Sequence, residues 1–170
     1  GAVNAKYLIA QGSVDDDFDA DMGYIGNIQF AISQRDSFLF DTGTNPTTNS
    51  IETDSDAVSC DLRPITAPVF SNFTMIGPCA SGTIEDVGSF QNGARIRKNS
   101  RTSLFNSVFL GQLTALFLDG QGSSNAFLED SLKLKNNYIA GSSLSHFRSN
   151  QDELTASMNS KFFANRNDTL

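Results

Sequence analysis

The sequence has no tryptophan, one histidine, two cysteines and only four prolines. Each shortage removes an explanation. Two cysteines are too few for the disulfide framework of a small secreted scaffold. They form no C-x-x-C, and the lone His146 is distant in sequence, so a zinc site is not expected. Cys60 and Cys79 remain candidates for one structural bridge or for two thiols. Cations are scarce as well: 12 Lys+Arg against 19 Asp+Glu leave a net charge of −7. Nucleic acid is excluded as a partner class on that balance, because phosphate contacts need a basic surface. No apolar run approaches the ~20 residues that span a bilayer, so no transmembrane segment is expected. No signal peptide opens the chain. It starts abruptly on "GAVNAKYLIA" and closes on "NRNDTL" without a recognisable cap for an apolar core. The expectation is a piece of a longer chain, so compartment is not read from the missing leader.

Phenylalanine (14) and glycine (13) are plentiful, and Asn, Ser, Thr and Gly fill the gaps between short apolar runs. This is the composition of many short strands joined by polar turns. Three segments share one template, an asparagine, four residues, then a glycine: "FSNFTMIGP", "LFNSVFLGQ" and "LKNNYIAGS". They place Asn72, Asn106 and Asn136 at spacings of 34 and 30 residues, with Gly77, Gly111 and Gly141 following. "NAKYLIAQG" is a looser copy closing at Gly12, and the interval to Gly77 leaves room for two more periods. Further strands are expected in "NIQFAIS" (27–33), "ARIRK" (94–98), "TALFLDG" (114–120) and "NAFLE" (125–129). Several strands per repeat of about 30 residues is the arithmetic of a parallel β-helix. Its coils share one core at about 4.8 Å separation, with the asparagines as an amide ladder. A β-sandwich is the alternative architecture.

Two stretches break the pattern. "DTGTNPTTNSIETDSDAVS" (41–59) is polar and is expected as a long loop excursion. In 149–167, Asn150 and Glu153 form an N-x-x-E capping box, and Leu154, Met158 and Phe162 share one helical face, so a short helix is expected there. Strand alternation puts Phe73, Met75, Val108, Leu110, Tyr138 and Ala140 in the core, together with Phe18, Phe30, Phe105 or Phe109, and Phe117.

The candidate site is "DDDFDADMG", with Asp15, Asp16, Asp17, Asp19 and Asp21 inside seven positions. As a strand, it sends Phe18, Ala20 and Met22 inward and Asp17, Asp19 and Asp21 outward. Neighbouring carboxylates ~7 Å apart repel by only about 0.6 kcal/mol in water, so a solvated acidic row needs no cation. The functional reading of the same residues is calcium, which takes six to eight oxygens. No EF-hand loop is present, since neither the glycine nor the terminal glutamate falls in place, so other ligands must come from a neighbouring coil or turn. Calcium is the only cofactor suggested.

"VNAKYLIAQGSVDDDFDADMGYIGNIQFAIS", "ARIRKNSRTSLFNSVFLG" and "KFFANRNDTL" resemble stretches of secreted and outer-membrane-associated proteins of Bacteroidetes. These are long extracellular chains of the right-handed, pectate-lyase-like β-helix type, often lipoproteins or type IX secretion substrates. The resemblance implies that fold and a cell-surface location, and carries no catalytic residues. It also implies O-glycosylation at Ser131 and Thr169, which lie in Asp-Ser/Thr-aliphatic sequons. β-Helix polygalacturonases combine paired aspartates, a Gly-His-Gly turn and an Arg-Ile-Lys strand. Here Asp15–Asp17 and "RIR" (95–97) look alike, but Gly-His-Gly is missing and His146 follows the arginine strand. For a polysaccharide lyase, Arg95, Arg97, Lys98 and Arg101 are candidates in charge only. The expected function is therefore an extracellular or cell-surface module with a structural, adhesion or glycan- or protein-binding role. The alternatives are a carbohydrate-active enzyme, lyase or hydrolase, and a subunit of an outer-membrane complex. Partners are expected to be glycans or other surface proteins.

Overall fold

The structure, a computed structural model, describes residues 1–44, 47–56, 62–81, 89–151 and 155–170. Short β-rich runs alternate along the chain as β1 (Ala5–Gln11), β2 (Phe18–Ala20), β3 (Asn27–Gln34), β4 (Thr48–Asp54), β5 (Val69–Ile76) and β6 (Phe90–Arg97). They continue as β7 (Ser103–Phe105), β8 (Val108–Leu110), β9 (Thr114–Asp119), β10 (Leu134–Lys135), β11 (Tyr138–Ala140), β12 (Ser145–Ser149) and β13 (Asp168–Thr169). Two helices, α1 (Gln121–Leu128) and α2 (Thr155–Ala164), sit between β9 and β10 and between β12 and β13. Every pairing is parallel, and strands alternate between two sheets. Sheet A runs β1, β3, β5, β7 with β8, β10 with β11, then β13; sheet B runs β2, β4, β6, β9, β12. Each coil lays one stretch in A, turns, lays one in B and returns. This is a parallel β-helix and not a sandwich.

The repeat is literal in the register. Asn72, Asn106 and Asn136 fall at one position on successive coils, and Gly77, Gly111 and Gly141 at the next turn. Hydrogen bonds between stacked residues span 23, 42, 34 and 30 positions along the coils, so the interval before Gly77 holds two coils of unequal length. The asparagine position bends the strand into left-handed backbone, φ 58°, 51° and 57°, which Asn tolerates better than other L-residues. Asn136 Nδ2 donates to Asn106 Oδ1 at 3.1 Å. Gly111 is also left-handed, and a Cβ there would lie 2.3 Å from the Ala80 nitrogen, so only glycine fits that turn.

The inward ladder lies one residue further on. Asn137 Oδ1 accepts from the Ser107 N–H, and its Nδ2 donates to Leu104 O and Asn167 Oδ1. Around it Phe70, Phe73, Met75, Leu104, Phe109 and Ile139 form the sheet A side of the core. Several expectations are corrected by this frame. Val108, Leu110, Tyr138 and Ala140 point outward, because the buried partners of Phe73 and Met75 are Ser107 and Phe109, then Asn137 and Ile139. Phe30 is exposed at the bend, and Phe117 is buried as expected, 5% exposed, but under Arg148 on the outer face of sheet B and apart from the main core cluster. Residues 125–128 are helical, since Ala126 and Phe127 reach the core on one helical face. The stretch 41–59 is not one excursion: β4 is a central, buried strand of sheet B. Its polar residues are tolerated inside because neighbouring coils satisfy them. Asn92 Nδ2 donates to Asn49 Oδ1 at 2.7 Å, and Ser100 and Thr102 both donate to Thr53; buried polar groups cost little once paired. Met158 and Phe162 of α2 are buried as expected, while Glu153 and Leu154 lie outside the described residues.

Candidate functional site

Strand alternation along sheet B creates two outward columns. One stacks Asp19, Glu52, Arg95, Phe117 and Arg148; the other carries Asp54, Arg97 and Asp119, continuing from Asp21. The middle of this face is an ion lattice. Arg95 contacts Asp119 at 2.6 Å and Glu52 at 3.5 Å; Arg97 contacts Glu52 at 2.8 Å and Asp54 at 3.2 Å; Lys98 contacts Asp54 at 2.9 Å. Arg95 and Arg97 are thus outward with Ile96 buried behind them, as alternation requires, on a central, paired strand. Burial alone would lower the basicity of Arg97, and the Glu52 and Asp54 charges more than reverse this. At one end Arg148 covers the Phe117 ring at 3.9 Å. His146 is half-buried on the last strand of the sheet.

The aspartate cluster sits at the other end and divides into three environments. Phe18 and Ala20 face the core, where Phe18 meets Phe73 edge-on, and Asp19 and Asp21 face out. Asp17 does not face solvent. Its side chain is 0% exposed and pairs with the 1% exposed Arg35 at 2.7 Å, while the Ser33 hydroxyl also donates to it. Burying this carboxylate is feasible because Arg35 and Ser33 meet both oxygens. Met22 is exposed in a left-handed turn, because the strand ends at Ala20. Asp16 Oδ1 accepts from the backbone N–H and the side-chain amide of Asn49, at 2.6 and 3.0 Å. The same amide donates to Glu52 Oε2 at 3.0 Å. Burial, then the nearby Glu52 charge, pushes Asp16 up to about 8. Partial desolvation, then Asp21, Glu52 and Asp54, raise Asp19 to about 6. Glu52 is raised by burial and pulled back by Arg97 and Arg95. Among the described residues no three of His, Cys, Asp and Glu converge on a point that would hold a metal ion. Cys79 is half-buried; Cys60, and with it the bridge, lies outside the described residues.

Sequence reasoning missed Glu52, Asp54, Asn49 and Arg35. The signal for Glu52 and Asp54 was the alternation in "IETD", concealed by the polar residues around it. A winding of parallel strands with stacked polar ladders defines the chain as a parallel β-helix. The family model described as a pectate-lyase-like β-helix domain matches residues 1–169, and the chain belongs to that family. No curated protein and no solved structure matches it. No helix of the described residues is long and apolar enough to cross a membrane.

Proposed function

We propose that this chain is a cell-surface β-helical module that binds or organises and does not turn over a substrate. Its place is extracellular or on an outer membrane, consistent with its resemblance to the secreted, lipoprotein and type IX substrates of Bacteroidetes. The observation carrying this reading is the ion lattice of sheet B. Glu52, Asp54 and Asp119 are engaged by Arg95, Arg97 and Lys98, and a group so engaged is a poor acid or base. Ser131, exposed after α1, and Thr169, half-buried on β13, are the proposed glycan acceptors, which peptide mass mapping of the secreted protein would test. Incubation with a panel of polysaccharides, with and without calcium, should release no reducing ends or unsaturated sugars, while sedimentation with insoluble cell-surface material should deplete the protein.

One observation favours a second reading, a glycoside hydrolase. Asp16 holds its proton near neutrality beside the carboxylate of Glu52, and the two share the Asn49 amide. A protonated acid beside an ionised carboxylate is what glycoside hydrolysis requires, and two carboxyl groups close enough to share one amide fit the short spacing of the retaining mechanism, with Glu52 as nucleophile. Turnover abolished by Asp16→Asn and by Glu52→Gln would establish this reading and end the first.

A further inference from the structure

The bend column of sheet A holds asparagine at 72, 106 and 136, yet Tyr7 and Phe30 occupy the same position on the first two coils. Their backbone is equally left-handed, φ 60° and 57°, a conformation that aromatic residues disfavour. Burial does not explain Phe30, which is 46% exposed although coils lie on both sides of it. Strained, exposed residues of this kind cluster at ligand sites. The rings stack at 5.4 Å with 14° between planes, so Phe30 backs one face of Tyr7 and holds it in place. Lys6 Nζ lies 5.6 Å from the Tyr7 ring centre.

Beside the rings runs a polar groove of about 450 Å³ that includes Asn4, Lys6, Asn27, Gln29 and Ser71. Asn27 donates to Asn4 and Gln29 to Ser71. The Asn27 and Gln29 side-chain oxygens then have no protein partner among the described residues. On the other side Ile9 and Ile32 border an apolar groove of about 350 Å³. We infer that this face of the first two coils binds an oligosaccharide, the outward edge of the Tyr7–Phe30 stack packing against a sugar ring and the Asn27 and Gln29 amides meeting its hydroxyls. The inference rests on the binding-module reading above. A sugar ring has an apolar C–H face and a hydroxyl edge, matching a ring flanked by amides. An apolar peptide or lipid would leave those amides desolvated and unpaired, at a cost. No carboxylate lines either groove.

The test is calorimetric titration of the wild type with hexasaccharides of β-1,4-glucan, β-1,3-glucan, β-1,4-xylan, β-1,4-mannan and α-1,4-glucan. At least one should bind with a dissociation constant below about 1 mM. Tyr7→Asn and Gln29→Ala should each weaken it about tenfold or more. Tyr7→Asn should melt no lower than wild type, because asparagine is the residue the fold uses elsewhere in this column. Absence of binding across the panel, or binding unchanged in both variants, overturns the site. Turnover of a bound hexasaccharide would instead overturn the module reading, while Tyr7-dependent binding would still uphold the site.

Discussion

Asn136 and Asn137 are chain neighbours with opposite roles, and the difference is measurable. Replacing Asn137 by alanine strips the buried Ser107 N–H of its partner and removes the side-chain amide bonds to Leu104 O and Asn167 Oδ1. The stranded donor costs about 1–3 kcal/mol and each lost amide bond about 0.5–1.5 kcal/mol, roughly 2–6 kcal/mol in all. That is a large share of the 5–15 kcal/mol typical of a folded domain. Asn136→Ala loses one exposed amide bond and places a Cβ in left-handed backbone without asparagine's local hydrogen bonding, about 1 kcal/mol in all. Asn136→Gly should be near neutral. Urea unfolding followed by circular dichroism reads all three. An Asn137→Ala variant no less stable than Asn136→Ala would refute the inward ladder and the register built on it.

The remaining predictions concern the first two coils. Asp17→Ala should destabilise by about 3–5 kcal/mol, because it leaves the Arg35 guanidinium buried without its counter-charge; a melting temperature within error of wild type would place the pair at the surface. Asp16, Asp19, Asp21 and Glu52 hold protons more tightly in the fold than in the unfolded chain. Their stabilisation is therefore fully present below about pH 4 and lost as pH rises to about 8. Asp16→Asn should flatten the upper part of that slope, and stability rising from pH 5 to 8 would contradict the assignment. We propose calcium only as a loosely held counter-ion of the exposed Asp15, Asp19 and Asp21, since Asp16 and Asp17 are already engaged and no three carboxylates converge on one point among the described residues. Heat at millimolar calcium that disappears in Asp15→Ala/Asp19→Ala supports it, and no heat with a chelator-insensitive melt leaves a solvated acidic rim.

The sequence made the winding legible because its turn requirement is chemical. A left-handed bend and a close-packed turn select Asn and Gly, and Asn72/Gly77, Asn106/Gly111 and Asn136/Gly141 announce them. The first two coils obey the same geometry with Tyr7 and Phe30 at the bend and Arg35 at the turn, so the template faded there. Which asparagine faces inward was not legible, since Asn136 and Asn137 differ only in the side of the strand they occupy. β4 was hidden because a solenoid strand can bury Thr48, Asn49, Ser50 and Thr53 when other coils answer each, and composition alone calls that a loop. The aspartates were half legible. Alternation placed Asp19 and Asp21 outside, but Asp17 turned on Arg35, a partner 18 residues away that no local pattern reveals.

Hydrogen–deuterium exchange of the wild-type protein, with and without the tightest-binding hexasaccharide, tests the central claim most directly. The account predicts added protection in β1 and β3, over residues 5–11 and 27–34, with the charged face unchanged. Protection over 48–54 and 90–97 instead would place the ligand on the ion lattice of sheet B and contradict it.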